Sequence, residues 1–282
     1  QGGPGSYHDR AAGYYFGDAY NPEYLKTFDA VFDSVARGSV NFGVTAIENS
    51  TTCQIDDVLD LLRSTEGISI VGEVNLGITH SLIGHANVKL GDIRTVYSHP
   101  MALKQCKNFL KNELPRAVKR EASDTATSVV LVREQADPTM VAIADANNAE
   151  QNGLVVLKEK IEDDPANYTR FLVLKRDGTL NFSFEPNSKA TVLINPSECE
   201  ATDSLGQTIL PKALGCFALA GVTLTNYYKR PVFGSPWQYS LYFDISHRDG
   251  ELNKQTVATI LDYQELNWRL LGVYASGQTI ES

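Results

Sequence analysis

The sequence predicts an α/β chain in two parts: two α/β lobes up to about residue 178, then a smaller βαββαβ unit over residues 188–282. Up to about residue 176, short β-rich runs alternate with helical spacing, which is the grammar of a parallel α/β sheet. After Arg176-Asp177-Gly178 and the polar stretch Pro186-Asn187-Ser188, the order becomes strand, helix, two strands, helix, strand, the ferredoxin-like arrangement. A chain of 282 residues with 43% hydrophobic residues has enough apolar side chains for one large or two smaller cores.

Residues 27–37 place Phe28, Val31, Phe32 and Val35 at helical spacing and end at Gly38, a residue suited to a left-handed helix terminus. Residues 40–47 alternate around Phe42 and Val44, and the helical run 56–63 follows. Glu48, Asn49 and Ser50 therefore sit at a strand's C-terminal edge, where open α/β sheets bind ligands beside helix N-termini. Residues 68–74 and 95–97 read as strands. Ser98-His99-Pro100 opens a helix carrying Leu103, Cys106, Phe109 and Leu110, with serine as cap and proline in the first turn. Ser123-Asp124-Thr125 opens another helix, 140–144 is a short apolar strand, and 145–152 is a helix closed by Gly153. The C-terminal unit reads as strand 190–195, helix 207–220, strands 222–230 and 238–246, helix 252–264 and strand 268–274. An α/β lobe also expects a strand ahead of Gly2, upstream of Gln1.

With 25 Lys plus Arg against 34 Asp plus Glu, the net charge of −9 excludes non-specific binding to nucleic acid or to an anionic membrane surface. Apolar runs are broken by charge or glycine within about ten residues, short of the roughly 20 that span a bilayer. Cys53, Cys106, Cys199 and Cys216 have neither a disulfide framework's spacing nor that of a zinc site, so a reducing compartment is expected and no metal.

Asn167-Tyr168-Thr169-Arg170-Phe171 packs an amide, a hydroxyl and a guanidinium just ahead of the apolar strand 171–174; its plain reading is a satisfied turn. Gly2-Gly3-Pro4-Gly5-Ser6-Tyr7 brings backbone N–H groups toward a carboxylate or makes a tight turn, and lacks the dinucleotide fingerprint. His99 reads as an acid, a base or a helix-start residue, and Cys106 as core. Taken alone, these features describe a two-lobed binder of a small anion with a second domain.

Those motifs, with Ala11-Ala12, Ile47-Glu48-Asn49-Ser50, Asp60-Leu61-Leu62, Gly72-Glu73, Ser98-His99-Pro100, Gln105-Cys106 and Asp124-Thr125-Ala126 in the same order, resemble the prephenate dehydratase and arogenate dehydratase family over some 175 residues. The C-terminal unit resembles that family's ACT domain at Phe217-Ala218-Leu219, Leu224-Thr225 and Arg230-Pro231. The resemblance implies a periplasmic-binding-protein-like catalytic domain over 1–178, its first lobe 1–76 with 162–178 and its second 77–161, then the ACT domain over 188–282. It implies a cytoplasmic or plastid lyase that needs no cofactor, converting prephenate to phenylpyruvate or arogenate to phenylalanine. It assigns the leaving-hydroxyl donor to Thr169, substrate orientation to Asn49, Ser50, Thr125 and Ser6, and the carboxylates to Arg170 and helix N-termini. Glu48, Asn167, Phe171, His99 and His8 complete the expected substrate-binding set. His8 is a departure, standing at the rim of the expected site in place of a small hydroxyl residue and titrating near neutrality.

The resemblance also implies phenylalanine binding at the ACT domain. There Thr208-Ile209-Leu210 stands in place of Gly-Ala-Leu, and Tyr228-Lys229-Arg230-Pro231 in place of Glu-Ser-Arg-Pro. Thr208, Leu210, Leu224, Arg230 and Pro231 are thus the candidate regulatory residues. Weakened effector binding is expected, with the domain serving chiefly to assemble a homodimer or homotetramer. The alternatives are a non-catalytic two-lobed sensor of a prephenate-like or aromatic ligand and a decarboxylase that does not aromatise; the hydroxyl of Thr169 speaks against the second.

Overall fold

Three sheets organise the computed structural model, which describes residues 1–177, 184, 187–196, 209–247, 252–263 and 266–281. The chain begins with α1 (Tyr7–Phe16), α2 (Phe28–Arg37), β1 (Phe42–Asn49), β2 (Cys53–Gln54), α3 (Asp56–Ser64) and β3 (Ile68–Gly77). A second lobe follows as β4 (Ser81–Gly84), β5 (Thr95–Ser98), α4 (Pro100–Gln105), α5 (Lys107–Asn112), β6 (Val118–Glu121), α6 (Thr125–Gln135), β7 (Met140–Ala144), α7 (Asn147–Gln151) and β8 (Val155–Lys158). Strand β9 (Tyr168–Arg176) then returns to the first lobe. The C-terminal domain is β10 (Ser188–Ile194), α8 (Ile209–Leu219), β11 (Val222–Pro231), β12 (Tyr239–His247), α9 (Lys254–Leu261) and β13 (Trp268–Ala275), and β14 (Thr279–Ile280) ends the chain.

The sheets are mixed, which corrects the expectation of parallel ones. In the first lobe the order is β14-β3-β9-β1-β2, and β9 runs antiparallel to both β1 and β3. The reason is topological: β9 enters from the second lobe and fills the slot between two strands laid down earlier. In the second lobe (β6-β5-β7-β4-β8), β5 is parallel to its neighbours whereas β4 is antiparallel to β7 and β8. The two crossings between lobes are tied by Ile78 N–H to Asn167 O at 2.8 Å and Ile161 N–H to His80 O at 2.9 Å.

Local chemistry explains most helices. Thr27 caps α2 by accepting from Ala30 N–H, Val31, Phe32 and Val35 are buried, and Gly38 stops the helix at φ 72°. Asp124 caps α6 through Thr127 N–H at 2.7 Å. At α4 the cap is His99, whose Nδ1 accepts from Met101 N–H, while Ser98 ends the strand buried and donates to Ile143 O. The helix expected through Cys106 breaks there into α4 and α5, because Cys106 leaves helical geometry at φ −109°, ψ 25°. Strands β4, β6, β8 and β14 had no sequence signal strong enough to name them.

The C-terminal sheet, in the ferredoxin-like order β11-β12-β10-β13, covers α8 and α9 with one face and the first lobe with the other. Leu193, Tyr228, Tyr242, Leu271 and Tyr274 from this second face share one apolar cluster with Phe32, Val35, Leu59, Ile70 and Leu172 of the first lobe. Tyr242 also donates to Leu59 O at 2.6 Å. The approach of β13 to β3 is close because residue 272 is glycine: a Cβ there would lie 2.1 Å from Ile70 O, a backbone atom that cannot swing aside. Gly272→Ala is therefore expected to destabilise by about 1–3 kcal/mol through overpacking. Thermal unfolding measures this, and a midpoint equal to that of the unmodified protein would mean that the two sheets separate without cost.

Candidate active site

Strand pairing sets the site. In the register of β1 with β9, Asn49 stands opposite Thr169 and Glu48 opposite Arg170. Successive side chains on a strand point to opposite faces. Asn49, Thr169 and Phe171 accordingly line a cavity between the two lobes, while Glu48 and Arg170 point away from it. Asn49 Nδ2 donates to Asn167 Oδ1 at 2.7 Å, Thr169 Oγ1 at 2.9 Å and Tyr168 O at 3.0 Å. Its Oδ1 accepts from Thr51 N–H at 3.0 Å, an Asx turn that ends β1. Because Thr169 Oγ1 accepts from Asn49, its own O–H is left to donate into the cavity.

The cavity holds about 400 Å³. Phe28, Phe171, Ile55, Ile78 and Met101 give it apolar walls, and Ser6, His8, His80, His99, Gln105 and Thr125 supply polar atoms. Two long helices begin at its edge, α1 at the cap Ser6 and α6 at Asp124 and Thr125. The first N–H groups of a helix lack intrahelical partners and carry the positive end of its dipole, so both termini favour an anion, and at α6 the capping carboxylate of Asp124, which also lines the cavity, already takes part of that field. Among the described residues that line the cavity there is no Lys or Arg.

The cavity histidines are neutral donors and acceptors. His8 Nε2 accepts from Ala46 N–H at 3.2 Å, with its ring edge-on to Phe171, and burial holds its pKa well below 6.5. The expected rim residue that titrates near neutrality is thus a wall residue that stays uncharged. His80 and His99 are lowered by burial as well. His80 Nε2 donates to Gln105 Oε1 at 2.8 Å, its backbone N–H donates to Glu162 at 2.8 Å, and Tyr7 O–H donates to Thr79 O beside it. Gln105 reaches across to the first lobe, donating to Thr51 Oγ1 at 3.1 Å and Asn49 Oδ1 at 3.3 Å. His80, Gln105, Tyr7 and Phe28 were not among the expected substrate-binding residues; Tyr7 and Gln105 stood only within the motifs that carry the resemblance, and Gln105 also follows Ala102 and Met101 along the cavity face of α4 at helical spacing.

Several candidates stand elsewhere. Arg170, expected to hold carboxylates, is buried behind β9 against Glu73, Glu48 and Asp244, because it alternates with Thr169. Glu48 meets Asn226 of the C-terminal domain at 2.9 Å and does not reach the cavity. Ser50 is exposed and clamps the start of β9, accepting from Tyr168 N–H and donating to Ala166 O. Asn167 is buried behind Asn49. Arg230 is bound to Asp60 and Asp56 of α3, and Pro231 O accepts from Arg63. Leu210 and Leu224 pack on the C-terminal core, and Thr208 lies outside the described residues. Among the described residues, no helix is long and apolar enough to cross a membrane, and no cluster of His, Cys, Asp or Glu is placed to hold a metal ion.

Comparison with known proteins places this chain in a family. The family model described as prephenate dehydratase matches residues 1–179. A bifunctional chorismate mutase/prephenate dehydratase of Neisseria gonorrhoeae is 32% identical over 273 residues, 97% of this chain and 72% of that protein. An arogenate dehydratase/prephenate dehydratase of Arabidopsis thaliana, a chloroplastic protein, is 36% identical over 231 residues, 82% of this chain and 56% of that protein. The crystal structure of a prephenate dehydratase from Arthrobacter aurescens in complex with L-Phe superposes with a TM-score of 0.82 at 27% identity, covering 97% of this chain and 88% of that one. The chain belongs to the prephenate dehydratase family.

Proposed function

We propose that the protein catalyses the decarboxylating dehydration of prephenate to phenylpyruvate, or of arogenate to phenylalanine, in the cavity between its lobes. The observation that carries this reading is the hydrogen bond from Asn49 to Thr169 at 2.9 Å, which frees the threonine hydroxyl to donate into a space of ring size. In the reaction the bond from the ring to its carboxylate breaks and carbon dioxide departs. The electron pair moves through the cyclohexadiene, the C–O bond at the far ring carbon breaks, and the expelled oxygen takes up a proton and leaves as water. Aromaticity supplies the driving force, so the enzyme's task is to hold the ring and stabilise charge on the departing oxygen. Thr169 is the donor to that oxygen; Phe171, Phe28 and Ile78 flank the ring. Ser6, Thr125 and the N-termini of α1 and α6 receive the carboxylates. Assembly as a homodimer or homotetramer through the C-terminal domain belongs to the same reading, supported by α8, which leaves Leu219 87% exposed.

Incubation with prephenate and, separately, with arogenate, following phenylpyruvate and phenylalanine, tests the activity and its substrate preference; a protein that binds either compound and leaves it unchanged is a sensor, and one that consumes it without forming either product is a decarboxylase. Thr169→Ala is expected to lower kcat by roughly 10²- to 10⁴-fold, the worth of a positioned donor, with KM little changed. A loss below about threefold removes Thr169 from the mechanism.

A second expectation concerns pH. His8 has its pKa held well below 6.5, so it carries no charge between pH 8 and pH 6. The ratio of KM at these two values is expected to be the same in His8→Ser as in the unmodified protein, and a change in the ratio would show that His8 titrates in the site. Stability behaves differently. Below about pH 6.5 the unfolded chain protonates this imidazole and the folded chain does not, so stability present above that pH is lost as pH falls through it. Urea unfolding at pH 7.5 and pH 5.5 is expected to show the loss, and a smaller one in His8→Ser.

A further inference from the structure

We propose that Asp244, in the C-terminal domain, is a positioning residue for the active-site pair Asn49–Thr169, acting through Arg170 on the opposite face of strand β9. The proposal rests on the dehydratase reading for its kinetic consequence and on packing for its geometry. Asp244 Oδ2 meets Arg170 Nη1 at 2.5 Å, and Asp244 Oδ1 accepts from Thr191 O–H at 2.6 Å. Arg170 stands opposite Glu48 in the same two strands that set Thr169 opposite Asn49. Glu48 is itself held from the C-terminal domain, by Asn226 Nδ2 at 2.9 and 3.1 Å. Asn226, Asp244 and Thr191 are direct neighbours across β11, β12 and β10, one polar row laid against the back of the catalytic strands.

The consequence follows from strand geometry. Side chains on alternate faces share one backbone, so fixing Arg170 and Glu48 from behind fixes the tilt of the next cross-strand pair in front. That pair sets the 2.9 Å hydrogen bond which aims the Thr169 hydroxyl. Removing the charge of Asp244 leaves Glu73 and Glu48, both in the first lobe, as the charged partners of Arg170, with only the neutral hydroxyls of Tyr228 and Tyr274 holding it from the C-terminal domain, and the two strands shift relative to each other. Misplacement on this scale lowers kcat rather than binding, because the donor is needed most as charge develops on the departing oxygen.

The test is a double-mutant cycle on the full chain. Asp244→Asn, nearly identical in shape, is expected to lower kcat about tenfold with KM moving less than about threefold. In a Thr169→Ala background the same change is expected to lower kcat by less than about twofold, since there is no hydroxyl left to misplace. An unchanged kcat in Asp244→Asn, or equal losses in the two backgrounds, overturns the proposal, the second outcome meaning that Asp244 serves only general stability. If Asp244→Asn fails to fold, Thr191→Val, which replaces the hydroxyl shared by Asp244 and Tyr274 with a methyl group of similar size, runs the same cycle with the same expectation. Amide hydrogen exchange reads the positioning without turnover. Asp244→Asn is expected to speed exchange in the segments holding Asn49 and Thr169 and to leave Val141 and Ile143 of the other lobe unchanged; uniform change, or none, overturns the proposal. An unmodified protein that turns over neither substrate defeats the dehydratase reading alone, and the exchange result still decides the role of Asp244.

Discussion

Burying a guanidinium is expensive, and most of this architecture can be read as the solution to burying Arg170. Its side chain is 7% exposed, behind the strand that carries Thr169. Taking an ion from water into a protein interior costs several kcal/mol even after relaxation, and only excellent geometry recovers it. The geometry is supplied from two domains: Glu73 at 2.7 Å and Glu48 at 3.4 Å from the first lobe, Asp244 at 2.5 Å and the hydroxyls of Tyr228 and Tyr274 at 3.0 and 3.1 Å from the C-terminal domain. Burial on its own favours the neutral form, and Asp244 with Glu73 more than reverses it, so the group stays charged. An undocked C-terminal domain would leave that charge half-partnered. Docking is thereby tied to one register, since a shifted sheet would present an uncharged residue, Tyr242 or Ser246 along the strand, where Asp244 is needed.

The front of the same strand obeys a different electrostatic rule. A chain of net charge −9 is proposed to hold a dianion in a cavity with no Lys or Arg among the described residues of its walls. The available positive potential comes from the N-termini of α1 and α6, each worth typically 0.3–1 kcal/mol toward an anion at an exposed site and up to about 2 in a partly buried one. Such weak fields suit the proposed chemistry better than a bidentate arginine. The departing carboxylate loses its charge as carbon dioxide forms, and a strong ion pair to it would stabilise the substrate more than the transition state. Separating Arg170 from the cavity by one residue of strand keeps the strongest cation of the region out of the reaction while using it to brace the scaffold.

What was legible in the sequence follows the range of the interaction. Helix α2 could be read from Thr27 to Gly38, because cap, apolar stripe and stop all lie within a dozen residues. Asp124 as a cap and the βαββαβ order of the C-terminal domain were legible for the same reason. The direction of β9 was not, because its neighbours lie some 100 residues away in sequence and nothing local specifies them. The placement of Arg170 was legible in principle. A strand through 168–176 puts residues 169 and 171 on one face and 170 on the other, so reading Thr169-Arg170-Phe171 as a single ligand-facing unit contradicted the period of the strand it begins. Glu48 beside Asn49 repeats the lesson. The neutral state of His8 depended on which walls closed around it, and that is set by the tertiary structure alone.

The residues expected to serve an effector raise the question of which contacts hold the C-terminal domain in place. Arg230 makes a bidentate contact with Asp60, at 2.6 and 3.2 Å, and a further one with Asp56, whose side chain is half exposed. Pairs this open to water contribute about 1 kcal/mol or less each. The apolar cluster of Leu193, Tyr228, Tyr242, Leu271 and Tyr274 is nearly fully buried, and each such side chain is worth about 1.5–3 kcal/mol. Burial therefore supplies the strength of docking, and the ion pairs around Arg230 and Arg170 supply its alignment. A domain held this way is part of the back wall of the catalytic lobe, and any event that tilts its sheet, whether assembly or a bound ligand, bears first on Asp244 and through it on the strand that presents Thr169.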